Sequence, residues 1–411
     1  MGKGRGGIGR ERKLRGQQSL GLDETATNDA MSWLDSLRGK SRDAVAKPGL
    51  LGAPGEHVLV PGALSVFVED HDVRADPHEL VPDAQFALPG KCRSYLTRGL
   101  ASVGQREIMF VLAPHAEAVT VEFEQVVLSV LQLIYKLACD GRTVDVGDMT
   151  TFGEPGPFGL SGCGLAYLES VEGPGPAVPK DALLALLLRP EECAAANVAG
   201  VYRAVAWIAR AYRWFPYPKL SEPLRPTAVP PGLPETLLAK LPLMKAPREA
   251  GVFLQNKTLI LRLQGAVFEE LAAAFAATEQ NPCFAIVTGH VPHATGRWVW
   301  LPKGHAPEAI GPSGSSLSTI EGGFVILMGA QAVNEASVIE DGFGARFSSD
   351  AWAVLREAIQ SRKDVEIEMA GDEDRFVRRF RVEIKTDAID LSDAETTVVD
   401  SKSVRSGIVT C

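Results

Sequence analysis

No apolar run in this chain approaches 18 residues, so no helical membrane span is expected. The basic N-terminal stretch is followed by no apolar segment, which argues against a secretory leader. The chain begins Met-Gly, but Gly6 stands where a myristoylation signal needs Ser or Thr. Cysteines are few and scattered: the closest two of the six, Cys139 and Cys163, are 24 positions apart. That spacing excludes a CxxC zinc knuckle or redox motif and fits reduced thiols in a cytosolic protein. Cationic charge is not in surplus either. A net charge of −9 disfavours nucleic acid as the main partner, because phosphate binding needs a cationic face. No GxSxG elbow, P-loop or HExxH occurs.

What the chain has is length and ordinary composition. Its 411 residues suggest two or three domains, with 45% hydrophobic and 23% charged residues. The best-patterned stretch is Ser337 to Met369. Asp341-Gly342 reads as a turn, and Ser348 or Ser349 as a helix cap with Asp350 at the positive end. Trp352, Leu355 and Ile359 share one helical face, which places Trp352 in the core. Val365, Ile367 and Met369 alternate with Glu366 and Glu368 as in a half-buried strand.

Strand–helix–strand patterns recur around residues 107–146, 258–288 and 345–369. The fold class is therefore α/β of mixed type, two related strand-helix-strand halves with mixed sheets. Eight prolines from Pro218 to Pro247 rule out a long helix or a central strand there. The boundaries follow: a disordered basic tail at 1–50, a first half at 51–217, a proline-rich connection at 218–250, a second half at 251–385, and a disordered acidic tail at 386–411. Residues 28–37 could form a short amphipathic helix. Glu191 to Tyr212 reads as one long helix, and Phe324 to Met328 as a central strand buried on both faces.

Candidate chemistry is thin. Gly4 to Gly9 matches GxGxxG, but no strand precedes it. His290, His293, His305 and Cys283 lack the convergent set that zinc needs, so neither a metal nor a cofactor is expected. Cys163 in Ser161-Gly162-Cys163-Gly164 would need an activating base, and no sequence feature brings His115 or another histidine to it. Asp83, Asp145 and Asp148 have no fixed separation and read as solvated. Trp214, Phe215, Pro216 and Tyr217 form the one candidate protein-binding corner, three aromatics held by prolines. The other reading of that corner is a helix end packed under the connection.

Three stretches, Arg98 to Ile108, Ala209 to Pro218, and Ser337 to Gly342 with Lys363-Asp364, resemble the C-terminal domain shared by Smad anchor for receptor activation and endofin. Their order and spacing agree from about residue 60 to residue 370. Gln105 to Phe110, a long helix and Asp148-Met149-Thr150 bear a fainter resemblance to the suppressor of fused domain. Both resemblances imply a non-enzymatic interaction fold: a cytoplasmic scaffold or adaptor with a protein partner. Those adaptors carry a cysteine-rich lipid-binding finger that has no counterpart here, so lipid and Smad binding are not carried over. The alternatives are an immunity-type protein that neutralises a toxin, since bacterial suppressor-of-fused-like domains are associated with toxin systems and an acidic domain could cap a basic toxin, and an enzyme of unknown type.

Overall fold

The computed structural model describes residues 54–385, apart from stretches at 74–85, 87–89, 114–120, 155, 172–174, 231–235, 266, 279, 281, 302–305, 313–315 and 371–375. The two tails, the 28–37 helix, the GxGxxG match, Asp83, His115 and His305 lie outside the described residues. The architecture is mixed α/β, with five α-helices and three mixed sheets among the described residues.

The first half carries β1 (Gly55–Val60), β2 (Leu64–Asp72), β3 (Lys91–Arg98), β4 (Ile108–Leu112), β5 (Met149–Thr151), β6 (Gly164–Leu168) and β7 (Leu183–Leu188). They form one sheet in the order β1-β2-β3-β4-β7-β6-β5. β4 and β7 run parallel at its centre, and all their residues are buried. Their unbroken apolar runs, Ile-Met-Phe-Val-Leu and Leu-Leu-Ala-Leu-Leu-Leu, fit strands covered on both faces. β2, nearer the edge, alternates instead: Leu64, Val66 and Val68 point inward. Helix α1 (Val121–Cys139) lays Val127, Val130, Leu131 and Ile134 across β1 to β3. The strand after α1 is β5, not the expected Thr143–Val146. There Gln105 intervenes, bonding both the N–H (2.7 Å) and the carbonyl (3.0 Å) of Val144.

Residues 190–212 form two helices, α2 (Pro190–Ala199) and α3 (Val201–Tyr212), rather than one. Gly200 breaks them with φ 95°, and a Cβ there would stand 2.6 Å from Val287 Cγ1. Only glycine accepts both that dihedral and that approach.

The second half carries β8 (Leu243–Ala246), β9 (Ala250–Gln255), β10 (Thr258–Gln264), β11 (Cys283–Thr288), β12 (Gly296–Val299), β13 (Glu308–Ile310), β14 (Thr319–Gly322), β15 (Phe324–Gln331), β16 (Glu335–Ile339), β17 (Gly342–Ser348), β18 (Val365–Glu368) and β19 (Arg379–Lys385). One sheet runs β13-β12-β14-β9-β10-β19-β18, the other β16-β17-β15-β11-β8. β15 is central, as its apolar run predicts. Helix α4 (Val267–Ala277) carries the chain from β10 in one sheet to β11 in the other. Helix α5 (Ser349–Ser361) does the same between β17 and β18. The two helices pack on each other, and one core joins them to both sheets. Ser348 caps α5 by accepting from the Ala351 N–H, and Arg362 closes it in the left-handed region. Leu355 and Ile359 are fully buried. Trp352 is half-buried, its ring against Phe275, Phe284 and Phe347.

The proline-rich segment contributes the edge strand β8 and is tied to the first half. Ser221 pairs with Leu112, and the buried Arg225 forks onto the buried Glu192 of α2. The halves dock closely. Val299 and Ile310 enter the first half's core, and Trp207 Nε1 donates to the Trp300 carbonyl at 2.8 Å.

Candidate functional site at the junction of the halves

The bend before β5 reads Asp145-Val-Gly-Asp148, and it meets the second half at Pro247. Gly147 permits this: φ is 82°, and a Cβ there would stand 2.8 Å from Pro247 Cγ. Beside this contact lies a cavity of about 330 Å³. The bend and β5 supply Gly147, Asp148 and Met149; α2 and α3 supply Asn197, Gly200, Val201 and Tyr202; the second half supplies Lys245, Pro247 and Val287. Both halves therefore build its wall.

The charges around it are arranged in layers. At the rim, Asp145 receives Arg248 at 2.8 Å and Arg106 at 3.4 Å. Next to it, the half-buried Asp148 accepts from the Asp145 N–H through Oδ2 at 2.8 Å. Burial raises the Asp148 carboxyl above its usual value, against the pull of that N–H and of Arg248. Lys245 Nζ donates to the Asn197 carbonyl at 2.6 Å, and burial lowers its ammonium below the ordinary range.

Behind Tyr202 sits a sealed polar cluster. Glu321, fully buried, accepts from Arg297 and from the Val291 N–H (2.6 Å) and lies 2.8 Å from His290 Nδ1. Burial alone would raise the Glu321 carboxyl, but Arg297 and His290 outweigh it and hold the group below its usual value. Arg297 also donates to the Tyr202 carbonyl at 3.2 Å, which fixes the start of α3.

A second buried cluster crosses the seam. Arg203 of α3, with no exposed side-chain area, donates to Glu340 Oε2 at 2.6 Å. Glu340 Oε1 accepts from the Leu237 N–H at 2.7 Å. One carboxylate thus ties α3, the connection and the β16–β17 hairpin together. The two-residue turn is Glu340-Asp341, one position earlier than the sequence pattern suggests, with Glu340 at φ 52°. Asp341 Oδ1 lies 2.8 Å from Arg203, a charge contact that is not aligned as a hydrogen bond. Burial pushes the Asp341 carboxyl up to about 6, although Arg203 opposes the shift.

The aromatic–proline corner is partly withdrawn from the surface. Pro216 and Tyr217 are buried, and Trp214 and Phe215 are half-buried. The Tyr217 hydroxyl donates to the Glu169 carbonyl at 3.0 Å. Phe215 and Tyr217 face His290 edge-on, with ring centroids 6.0 and 6.1 Å away. Of the two readings of this corner, a protein-binding surface and a helix end packed under the connection, the burial of Pro216 and Tyr217 agrees with the second, while Trp214 and Phe215 keep partial exposure. The structure also brings that corner against the His290 turn, a proximity the sequence does not reveal.

The other candidates fall apart. His293 packs edge-on to Phe253 at 4.8 Å, with Arg262 3.4 Å from its Nδ1. Cys163 is buried, its thiol pushed up to about 12 by burial. Among the described residues no group of three or more His, Cys, Asp or Glu is placed to hold a metal. Asp145 and Asp148 are not simply solvated; they line the junction. Lys245, Arg203 and Glu321 were not marked by sequence reasoning, since single charged residues in apolar strands and helices carry no motif.

No family model matches this chain, and no curated protein matches it. The likeness to the Smad anchor and endofin domain therefore rests on the quoted residues alone. Among solved structures, Drosophila Suppressor of Fused aligns with a TM-score of 0.28 at 10% identity. The alignment covers 78% of this chain and 88% of that one. A likeness of this depth carries no argument about function. Among the described residues no helix is long and apolar enough to cross a membrane.

Proposed function

We propose that this chain is a non-enzymatic protein-interaction module, a scaffold or adaptor, that presents the outer seam between its halves to a protein partner. One observation carries the reading. Val198 at the end of α2 is 45% exposed, and Leu237 in the connection is 41% exposed. Their sequence neighbours Ala199 and Leu238 share one small buried cluster, so the two exposed side chains flank the same seam. Leu241 and Leu243 continue along it, half-buried against that cluster. Contiguous exposed apolar surface marks a protein contact, and here the exposed Val198 and Leu237 adjoin the half-buried Leu241 and Leu243. The bonds of Glu340 to Arg203 and to the Leu237 N–H hold the seam in one arrangement, which lowers the ordering cost of binding. The resemblance of Ser337 to Gly342 and its companions to the Smad anchor and endofin domain agrees with an interaction role. The preferred surface is the seam rather than Trp214 to Tyr217, because Tyr217 is already engaged.

The test is affinity capture from the source cells with the full chain and with a Val198→Asp, Leu237→Asp double variant. Both substituted positions are exposed, so folding should survive, and circular dichroism checks it. Proteins captured by wild type and lost with the folded variant would support the seam. An identical captured set would remove it.

A further inference from the structure

The cavity between the halves holds a cation with no carboxylate beside it. Lys245 Nζ donates to the Asn197 carbonyl, and no ion pair with an acidic side chain accompanies that bond among the described residues. An ammonium carries three donors, so capacity remains beyond the one bond to Asn197. Burial lowers its ordinary pKa, the mark of a charge that lacks compensation.

The facing half supplies the opposite sign. Asp148 spends Oδ2 on the Asp145 N–H. Its Oδ1 has Arg248 at 3.8 Å, too long for a hydrogen bond. Met149, Val201, Tyr202 and Val287 complete the apolar part of the lining. A volume of about 330 Å³ is at the small end of ligand pockets, which favour interfaces between structural units.

A ligand bearing only negative charge would satisfy Lys245 and be repelled by Asp148; a simple cation meets the reverse problem. A molecule with both signs satisfies both. The geometry points to this cavity as a binding site for a small zwitterion, a free α-amino acid or dipeptide, with its carboxylate on Lys245 and its ammonium on Asp148. The apolar wall receives the ligand's side chain. The site opens beside the seam, sharing Val287 with the cluster beneath it, and its zwitterionic ligand is recognised by Lys245 and Asp148 rather than by the exposed Val198 and Leu237.

Isothermal titration of the purified full chain tests this. The probes are leucine, glutamine and glycyl-leucine, with N-acetyl-leucine and leucine amide as blocked forms. At least one free zwitterion should bind with one-to-one stoichiometry. Blocking either end should weaken binding at least about tenfold, the loss expected for one charge-assisted hydrogen bond. Lys245→Met should weaken the free zwitterion by a similar factor, and Asp148→Asn should do so by removing the carboxylate. The proposal is overturned if no free zwitterion binds at millimolar concentration, if blocked and free forms bind alike, or if folded Lys245→Met binds as wild type. The blocked ligands probe wild-type protein, so a variant that fails to fold leaves the test intact.

Discussion

Replacing Arg203 by Met removes the cation from the buried cluster that joins the two halves while keeping an unbranched apolar stem. Two carboxylates would lose their counter-charge: Glu340, with 10% of its side chain exposed, and Asp341, with 1%. Stranding a buried charge typically costs about 3–5 kcal/mol. The guanidinium also lies 5.1 Å from the centre of the Phe324 ring and 5.7 Å from that of Trp207. The Met stem retains part of that packing, so the charge term dominates. The pH dependence separates it from packing loss. Folded Asp341 titrates near 6 against an ordinary 3.8, so the folded chain binds this proton more tightly than the unfolded chain. Lowering pH from above 6 toward 4 therefore stabilises the fold through Asp341, by up to roughly 3 kcal/mol, and raising it removes that contribution. Urea unfolding of Arg203→Met should show the full penalty at pH 7.5 and a smaller one at pH 5, where Asp341 is protonated. Asp341→Asn should flatten the wild-type pH profile between 4 and 6. An Arg203→Met penalty below about 1 kcal/mol, or one equal at both pH values, would refute the latch.

Three further outcomes can be checked on the purified chain. Trp352→Ala should cost about 3 kcal/mol in urea unfolding, the low end for a large aromatic because Trp352 is only half-buried; wild-type stability would contradict its packing on Phe275 and Phe284. Gly200→Val should destabilise by more than about 1 kcal/mol, since β-branched side chains resist positive φ and Val287 blocks the space; an unchanged denaturation midpoint would mean that α2 and α3 need no break. A thiol reagent at neutral pH should label exposed Cys139 ahead of buried Cys92, Cys163 and Cys193, as peptide mapping would read; rapid labelling of Cys163 would contradict its burial.

Regular elements were the legible part of this fold. The period of Trp352, Leu355 and Ile359, the cap at Ser348 and the run at Phe324 to Met328 each encode a local geometry, and each is found where the pattern puts it. The break at Gly200 was not legible, because its cause is Val287, a residue 87 positions away that closes on the glycine only in the folded chain. That the second half splits into two sheets was hidden for the same reason: α4 and α5 have ordinary amphipathic patterns, which do not say which strand each helix leads to. The junction was the least legible. Lys245 sits in a proline-rich segment that reads as connection, and its partner is the Asn197 carbonyl of the other half. Tyr217 looked like a contact residue because aromatics beside prolines resemble a presented surface. Its hydroxyl finds the Glu169 carbonyl 48 positions upstream, a pairing no local pattern encodes.

Hydrogen–deuterium exchange on the full chain, with and without a captured protein partner, tests most directly whether the seam between the halves is the binding surface. Partner-dependent protection is predicted in the last turn of α2, around Leu237 to Leu243, and at the neighbouring edge strand β8. Protection confined to surfaces away from the seam, with these segments exchanging as in the free chain, would contradict the account.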